Sequence, residues 1–567
     1  MAARLTAYIV ALIVSVTLIA GLIVGATREG DGPVDLIVVN GNVYTADGGG
    51  KMAEAVAVQG NKILQVGSNR EIQRLRRPQT VVVDAKGGAV LPGFNDAHVD
   101  LIAGGLAAEQ IDLRGADTLT AVEAAIAAWA AANPDREWVT GGGWTPAAFG
   151  GNLPTRHVLD SLVPDRPAFM MAADGVVAWS NSVALKRAAI TRRTPNPASG
   201  VIVKDPRTGE PTGVLKGTAA ELVETLIPAP TREERIAAVH AAIEQAHRVG
   251  ITSVQHVGGS GDLEILDAVR REDELSVRVY AGLAIPGALS AGDLENLDRL
   301  RTKYGDDPVF KTGAVVLAPP GSEGVAADTT AASAERDALD AELKETIGEL
   351  DRRGWQIVID AVSELAVRMA LNALQSVTDS SRASEQGRRH RIDRIAAVGT
   401  ADVPRFARLG VIAALQPVHD ERASVPAEPL ADAAPAAATS IWSFARGVKS
   451  GAYLAFGSDW PTGELDPLRG LDSAVNSAAV EGSGSAAWTS ESRSMLRQAI
   501  DAYTRNGAWA SFDEHRKGTI EPEMLADLVI LNLDIFALPP SRLSEAEVAV
   551  TIFDGKVVFS RSADSND

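Results

Sequence analysis

The segment at residues 91–101, LPGFNDAHVDL, holds the two residues with the clearest chemical potential, His98 and Asp100. The apolar run Ala89–Leu91 leads into this segment and indicates a short β-strand. Side chains two residues apart in a strand lie on the same face, so both groups would point the same way. Imidazole and carboxylate groups suit zinc and similar metal ions. The pattern predicts a reactive site at the carboxyl end of this strand, where barrel enzymes place their chemistry.

The elements that would position such a site alternate along the middle of the chain. After a first strand at Leu91–His98, seven further short apolar runs are each separated by helical or loop stretches. These runs are Ile251–Val257, Val277–Ala284, Thr312–Ala318, Gln356–Val362, Arg391–Ala396, Val411–Pro417 and Leu454–Trp460. Eight strands with intervening helices predict an α/β fold, a TIM-like (β/α)8 barrel at residues 91–519. The gap after the first strand is too long for one crossover, so residues 102–248 are expected to contain an insertion.

Both ends of the chain are rich in β-strand patterns. Runs of Val, Ile and Leu interrupted by Asn-Gly and Gly-Gly turns occupy residues 33–90, and similar runs return at residues 520–567. We expect these two segments to form one small β-sandwich.

The order of these motifs resembles that of a known family. Pro92-Gly93-Phe94 followed by Asp96 and His98 is similar to the opening motif of metal-dependent amidohydrolases, in particular the amidohydrolase-3 branch that includes N-substituted formamide deformylases. The resemblance implies a barrel, a composite sandwich of both termini, and hydrolysis of non-peptide C–N bonds such as those of amides and formamides. It also implies a catalytic metal held by His, a carbamylated Lys and Asp at the ends of several strands.

Most of the implied metal ligands are substituted in this chain. His98 and Asp459 match the family pattern, whereas four other ligand positions carry Asp100, Val316, Asp360 and Arg394. A valine cannot be carbamylated, and an arginine is a permanent cation. We therefore predict no binuclear centre and at most one weakly held divalent ion, Zn, Mn or Mg, on His98, Asp100 and Asp459.

The same comparison assigns the remaining candidate residues. Asp459, Arg394 and Asp360 are the candidate catalytic groups, and Arg394 is expected to pair with Asp360 or Asp459 because an unpaired buried charge is costly. His419 matches a motif at the seventh strand and is a candidate ligand contact. Trp144 and Trp179 are candidates for the wall of a small-molecule pocket at the barrel mouth.

The amino-terminal segment Tyr8–Ala26 is apolar and uncharged. At 1.5 Å per residue its helix would span about 28 Å, close to the hydrocarbon thickness of a bilayer. Residues 1–28 are therefore predicted to be a membrane anchor, with a cleaved signal peptide as the alternative. The bulk of the protein is then expected on the exported side of the membrane.

Composition narrows the range of functions. The net charge of −19 over 567 residues argues against a nucleic-acid partner, and the absence of cysteine excludes disulfides and thiolate metal sites. Three interpretations stay open: a metal-dependent amidohydrolase, an inactive barrel kept as a binding or scaffold protein at the membrane, and a hydrolase rewired to use carboxylates. The oligomeric state is not predicted.

Overall fold

The structure is a computed structural model that describes residues 33–173, 175–285, 289–318, 333–380, 387–418, 438–439, 452–480 and 490–561. The chain divides into two compact units. Unit 1 comprises residues up to Val99, Ala246–Gly258 and Ser276 onward, and unit 2 comprises Asp100–Gln245 and Gly259–Leu275. The predicted insertion therefore corresponds to most of unit 2, while the composite sandwich and the barrel belong to one unit.

Unit 1 contains an eight-stranded parallel sheet that runs in chain order. Its strands are Phe94–Val99, Ile251–Gly258, Arg278–Ile285, Phe310–Leu317, Gln356–Asp360, Arg391–Asp393, Ile412–Leu415 and Leu454–Phe456. A parallel bridge between Val99 and Trp460 brings the first and last strands together. The sheet is thus a nearly closed barrel, and the predicted barrel architecture is confirmed.

The first barrel strand differs from the prediction. The run at Leu91–His98 is two strands, because Ala89–Pro92 belongs to another sheet and the barrel strand begins at Phe94. The break falls at Gly93, where an added Cβ would lie 2.1 Å from Oγ1 of Thr252. A side chain has no room at this crossing of the two strands.

Both ends of the described chain contribute to the remaining sheets of unit 1. A six-stranded sheet has the order Lys556–Ser560, Val548–Phe553, Leu528–Leu531, Ala89–Pro92, Asn42–Tyr44 and Met52–Ala53. A four-stranded sheet has the order Lys62–Gly67, Ala55–Gln59, Leu36–Val39 and Val81–Asp84. One apolar cluster joins side chains from both sheets, including Val38, Val90, Leu528 and Ile552.

Helices follow most of the barrel strands. The α-helices of unit 1 are Asn69–Gln73, Ala291–Lys303, Ser333–Arg352, Glu364–Ser380, Val403–Leu409, Pro467–Val480, Ser490–Tyr503 and Arg505–Ala510. Short 3₁₀ turns lie at Pro540–Glu545 in unit 1 and at Pro146–Phe149 in unit 2. In unit 1, Val398–Gly399 also forms a two-stranded ladder with Ala438–Thr439.

Unit 2 is built on its own six-stranded mixed sheet. The strand order is Gly200–Lys204, Pro211–Gly217, Val177–Ser180, Ala168–Ala172, Val139–Trp144 and Ile111–Asp112. Its helices are Leu101–Ala108, Leu119–Ala132, Arg156–Leu162, Ser182–Arg187, Glu221–Glu224 and Ser260–Arg271, and the helix Arg232–Arg248 ends at the boundary with unit 1.

The predicted anchor Tyr8–Ala26 lies outside the described residues. Among the residues that the structure does describe, no helix is long and apolar enough to cross a membrane.

Candidate active site

Four polar side chains meet because their strands end at the same face of the barrel. His98 lies near the end of the first strand, Asp360 and Asp393 end the fifth and sixth strands, and Asp459 follows the eighth. In parallel barrels the loops at the carboxyl ends of the strands form the site.

His98 lies at the centre of this group. Its Nδ1 atom lies 2.7 Å from Oδ2 of Asp393 and 3.9 Å from Oδ1 of Asp360, and its Nε2 atom lies 3.6 Å from Oδ1 of Asp459. Burial disfavours the charged ring, but the hydrogen bond with Asp393 and the negative charges around it outweigh burial and raise the pKa of His98 to about 9. The imidazole is therefore a cation at neutral pH.

Below His98, a buried ion pair holds Asp393 in place. Arg391 Nε donates to Oδ1 of Asp393 at 2.7 Å, and Arg391 Nη2 donates to the other oxygen. The same guanidinium also donates to Oε1 of Gln255 and to the carbonyl oxygen of Ala97. Burial would raise the pKa of Asp393, but the charge and hydrogen bonds of Arg391 and the contact with His98 hold it below its usual value. Asp393 is thus a charged acceptor whose two oxygens are already engaged.

Above His98, three partly exposed groups form the mouth of the site. Arg394 Nε lies 3.1 Å from Oδ2 of Asp459, and Arg394 Nη1 lies 3.9 Å from Oδ2 of Asp360. Both carboxylates expected as partners of Arg394 therefore lie beside it. The side chains are 29% exposed for Arg394, 12% for Asp459 and 13% for Asp360, so solvent and a ligand can reach them.

Two of these mouth residues have strained backbones. Arg394 has φ of 59° and Asp459 has φ of 56°, in the left-handed region that non-glycine residues rarely adopt. Such conformations cost about 1–3 kcal/mol each and occur preferentially at functional sites.

Asp96 links the first barrel strand to the segment that follows the last one through hydrogen bonds. Its Oδ1 atom accepts the backbone N–H groups of His98 and Ser458, each at 3.0 Å. Burial raises the pKa of Asp96 to about 6, although these hydrogen bonds oppose the shift. The close approach needs Gly457, because a Cβ there would lie 2.5 Å from the His98 nitrogen and 2.9 Å from Asp96 Oδ1.

The charges of the site nearly cancel without a metal ion. Three carboxylates, Asp360, Asp393 and Asp459, face the guanidinium groups of Arg391 and Arg394 and the protonated ring of His98. Burial and the neighbouring carboxylates Asp393 and Asp459 raise the pKa of Asp360, while His98 and Arg394 oppose the shift. In the described site, cationic side chains therefore lie beside these carboxylates.

A binuclear metal centre does not fit these residues. Val316, at the position of the implied bridging lysine, is buried in an apolar cluster with Tyr280, Ala314 and Val358. Arg394 would bring a second positive charge beside any ion at the mouth. Among the described residues, His98, Asp360 and Asp393 bring ligand atoms within 4.8 Å of one another, close enough to hold one ion together.

The other predicted site residues have different surroundings. Asp100 lies after the barrel strand has ended and caps the helix Leu101–Ala108, because its Oδ1 atom accepts the N–H of Ala103 at 2.9 Å. Its expected place beside His98 on one strand face is wrong, since the strand ends at Val99.

Trp144 and Trp179 are 1% and 0% exposed in a core cluster of unit 2, with their ring N–H groups bonded to carbonyl oxygens of Met170 and Thr155. In the structure both tryptophans pack in this core, and their contact with a ligand stays a prediction. His419 lies outside the described residues.

The sequence interpretation missed Asp393, Arg391 and Asp96. A signal was present for the first two, because Arg391 and Asp393 alternate with Ile392 in a buried strand and so share one face.

The fold defines the class of protein as a parallel (β/α)8 barrel, and its charged cluster lies at the carboxyl ends of the strands, where such barrels have their sites. The chain belongs to the amidohydrolase family, whose family model matches residues 81–559. The resemblance proposed from the sequence is thereby confirmed.

Similar proteins cover nearly the whole chain. Protein LONG AFTER FAR-RED 3 of Arabidopsis thaliana is 29% identical over 543 residues, 93% of this chain and 91% of the relative. N-substituted formamide deformylase of Arthrobacter pascens is 25% identical over 561 residues, 93% of this chain and 99% of the relative. An uncharacterized metal-dependent hydrolase from Pyrococcus horikoshii OT3 shares the fold, with a TM-score of 0.64, 21% identity and coverage of 89% of this chain and 99% of the other.

Proposed function

We propose that this protein hydrolyses a non-peptide C–N bond of the amide or formamide class through its own ionisable side chains. The observation that carries this proposal is the position of Asp459. Its partly exposed carboxylate lies 3.6 Å from His98 Nε2 and 3.1 Å from Arg394 Nε at the mouth of the barrel. A base, a cationic donor and a protonated imidazole are thus adjacent. The formamide class is taken from the relative named N-substituted formamide deformylase.

The proposed reaction uses these three groups in sequence. Asp459 accepts a proton from a water molecule as the water oxygen bonds to the carbonyl carbon. The guanidinium of Arg394 faces the negative charge that develops on the carbonyl oxygen. His98 then gives its proton to the nitrogen as the C–N bond breaks, so that an amine and a carboxylic acid leave. The proton held by Asp459 returns to His98 Nε2, 3.6 Å away, and both groups are restored. Asp393, fixed by Arg391, keeps His98 protonated and oriented.

We further propose that at most one divalent ion binds, and only weakly. His98, Asp360 and Asp393 are the residues that would hold it. A bound ion would polarise a carbonyl group and lower the pKa of water. The ion has to compete with the proton on His98 and with Arg391, which already engages both oxygens of Asp393.

Elemental analysis and an assay of amine release test the proposal together. The protein, dialysed against a chelator, is assayed on a panel of N-acyl and N-formyl amines with and without added Zn or Mn. We expect turnover without metal, loss of at least about 100-fold in Asp459→Asn, and no change in Glu521→Gln, which replaces an exposed carboxylate outside the site. Two tightly bound metals in each chain, or full activity of Asp459→Asn, would contradict the proposal.

A second candidate function is ligand binding without turnover. It is favoured by the engagement of Asp393 by Arg391 and of Asp459 by Arg394, which leaves the carboxylates paired as in a structural ion network. Under this alternative, compounds of the panel raise the melting temperature of the protein but release no amine, with or without metal.

The amino-terminal segment carries a proposal of its own. Tyr8–Ala26 is proposed to anchor the protein in a membrane, with the catalytic part on the exported side, because the segment is apolar and uncharged. Deletion of residues 1–28 is expected to move the protein from the membrane fraction to the soluble fraction. Full-length protein that stays soluble with its amino terminus intact would contradict the anchor.

A further inference from the structure

A cavity of about 520 Å³ lies within unit 2 and plays no part in the site described above. It opens among the helices Leu101–Ala108 and Leu119–Ala132, the strand Ala168–Ala172 and the segment 224–234. Its volume falls in the range of cavities that bind small molecules, about 300–1,000 Å³.

The floor of the cavity is aromatic and apolar. Trp129, Trp138, Phe169, Met171 and Ile227 line it. The ring N–H of Trp129 already donates to the carbonyl oxygen of Glu109 at 2.9 Å, which fixes the edge of the indole and leaves carbon surface to contact a ligand. Such a floor can accommodate a ligand with a flat apolar part.

The rim of the cavity is acidic. Four glutamates line it, at positions 109, 137, 224 and 234, against one lining arginine, Arg136. Arg136 bonds Glu109 at 3.0 Å and also contacts Glu234, and Glu137 is paired with Arg187 at 2.5 Å. Glu224 is exposed, and no described cation lies within ion-pair distance of it.

A second observation is a buried donor without a partner on a residue that lines the cavity. Trp138 lines it, is only 6% exposed, and its indole N–H has no hydrogen-bond partner among the described residues. An unpaired buried donor is unfavourable, so a ligand oxygen that reached it would stabilise the site.

We propose that unit 2 contains a binding site for a small organic cation, an ammonium group on an aromatic body that also carries a hydrogen-bond acceptor. The ammonium group lies against Glu224 and the acidic rim, and the aromatic body contacts the indole and phenyl rings of the floor. Cation–π attraction between the ammonium group and these rings adds to charge pairing. Amines released by C–N hydrolysis have this chemistry, but the site does not depend on the proposed reaction.

Calorimetric titration of the whole protein with phenylalaninol tests this inference. This probe has an ammonium group, a phenyl ring and a hydroxyl group, and no acyl C–N bond that the barrel site could hydrolyse. 3-Phenyl-1-propanol lacks only the ammonium group, and 3-phenylpropanoate carries the opposite charge. We expect saturable binding of phenylalaninol that weakens with added salt, binding of the alcohol at least about tenfold weaker, and no binding of the carboxylate.

Substitutions on one short helix locate the binding. Glu224→Gln is expected to weaken phenylalaninol binding about fivefold and Glu224→Lys more than about 20-fold. Glu221→Gln, on the same helix Glu221–Glu224 but outside the cavity, is the matched control and is expected to bind as the unmodified protein does. Activity in the amine-release assay is expected to be the same in all three variants.

Three results would overturn the inference. They are the absence of saturable phenylalaninol binding, equal binding of all three probes, and equal losses in Glu224→Gln and Glu221→Gln. Sedimentation that shows a dimer dissociated by Trp129→Glu would instead assign the cavity to a second copy of the chain and would equally overturn it.

Discussion

The backbone N–H of Asp459 donates to the carbonyl oxygen of His98 at 2.8 Å, so the first and last strands of the barrel are joined at the candidate site itself. Asp96 adds a second connection, since its carboxylate accepts N–H groups from both strands. The distance between the imidazole of His98 and the carboxylate of Asp459 therefore depends on closure of the barrel.

Gly457→Ala is predicted to weaken this closure. The added methyl group would lie 2.5 Å from the backbone nitrogen of His98, so the first and last barrel strands must move apart. We expect a loss of about 3 kcal/mol in the free energy of unfolding, measured by chemical denaturation. Gly348→Ala is the control, because its Cβ would meet nothing within 4 Å in the helix Ser333–Arg352 and should stabilise the helix slightly. Equal stabilities of the two variants would contradict the prediction.

Arg391→Met is predicted to be strongly destabilising. It leaves the buried carboxylate of Asp393 without its guanidinium partner, and removal of one member of a buried pair costs about 3–5 kcal/mol. The double variant Arg391→Met, Asp393→Leu removes both charges and should recover part of the loss. Equilibrium unfolding followed by circular dichroism measures both. A loss below about 1 kcal/mol in the single variant would argue against the pair as described.

The contribution of Lys517 to the free energy of unfolding is predicted to increase as the pH rises through the alkaline range. Its Nζ atom is buried, donates to Ser253 Oγ at 3.0 Å and lies 3.7 Å from Asp513. Burial, helped by the charges of Lys311 and Arg278 and opposed by Asp513, lowers the pKa of Lys517 from 10.5 to about 8.

Between pH 8 and pH 10.5 the unfolded chain then binds more protons at this residue than the folded protein does. By linkage, this residue's contribution to stability rises with pH across that window, by about 3 kcal/mol in total. The difference in unfolding free energy between the unmodified protein and Lys517→Met, measured from pH 7 to pH 10.5, should increase by this amount. A flat difference would refute the shift, and exposed Lys556→Met is the matched control.

Truncation after Glu521 is predicted to cause aggregation. The deletion removes Leu528–Leu531, which pairs antiparallel with Ala89–Pro92, so that a central strand of the six-stranded sheet becomes an open edge. Light scattering after size-exclusion chromatography measures the outcome. Removal of only Ser562–Asp567 is the control and should leave a monodisperse protein. An unchanged melting temperature of the truncated protein would show that the two terminal segments do not depend on each other.

Periodicity in the sequence was sufficient to predict the barrel. The runs beginning at Ile251, Gln356 and Leu454 start as strands at those residues, because a strand buried on both faces leaves a continuous apolar run. The run at Leu91–His98 was harder to divide. Nothing in its hydrophobicity marks the change of sheet, which falls at Gly93, where Thr252, far along the chain, leaves no room for a side chain.

The candidate site was only partly predictable for a similar reason. His98, Asp360, Arg394 and Asp459 could be identified as charged residues at strand ends, and the structure brings them together. Asp393 is also a charged residue at a strand end, but the sequence does not show that His98 bonds it at 2.7 Å and lies 3.9 Å from Asp360. Asp100 was misplaced because the helix that it caps begins as soon as the strand ends.

The pairing of Ala89–Pro92 with Leu528–Leu531 also means that the six-stranded sheet is completed late in synthesis. A ribosome adds about 5–20 residues each second, so roughly 20–90 s separate the appearance of these two strands. During that interval the earlier strand has an unsatisfied edge while the whole barrel is being translated. The six-stranded sheet cannot be completed before Leu528–Leu531 leaves the exit tunnel, and an open strand edge is a template for pairing with other chains.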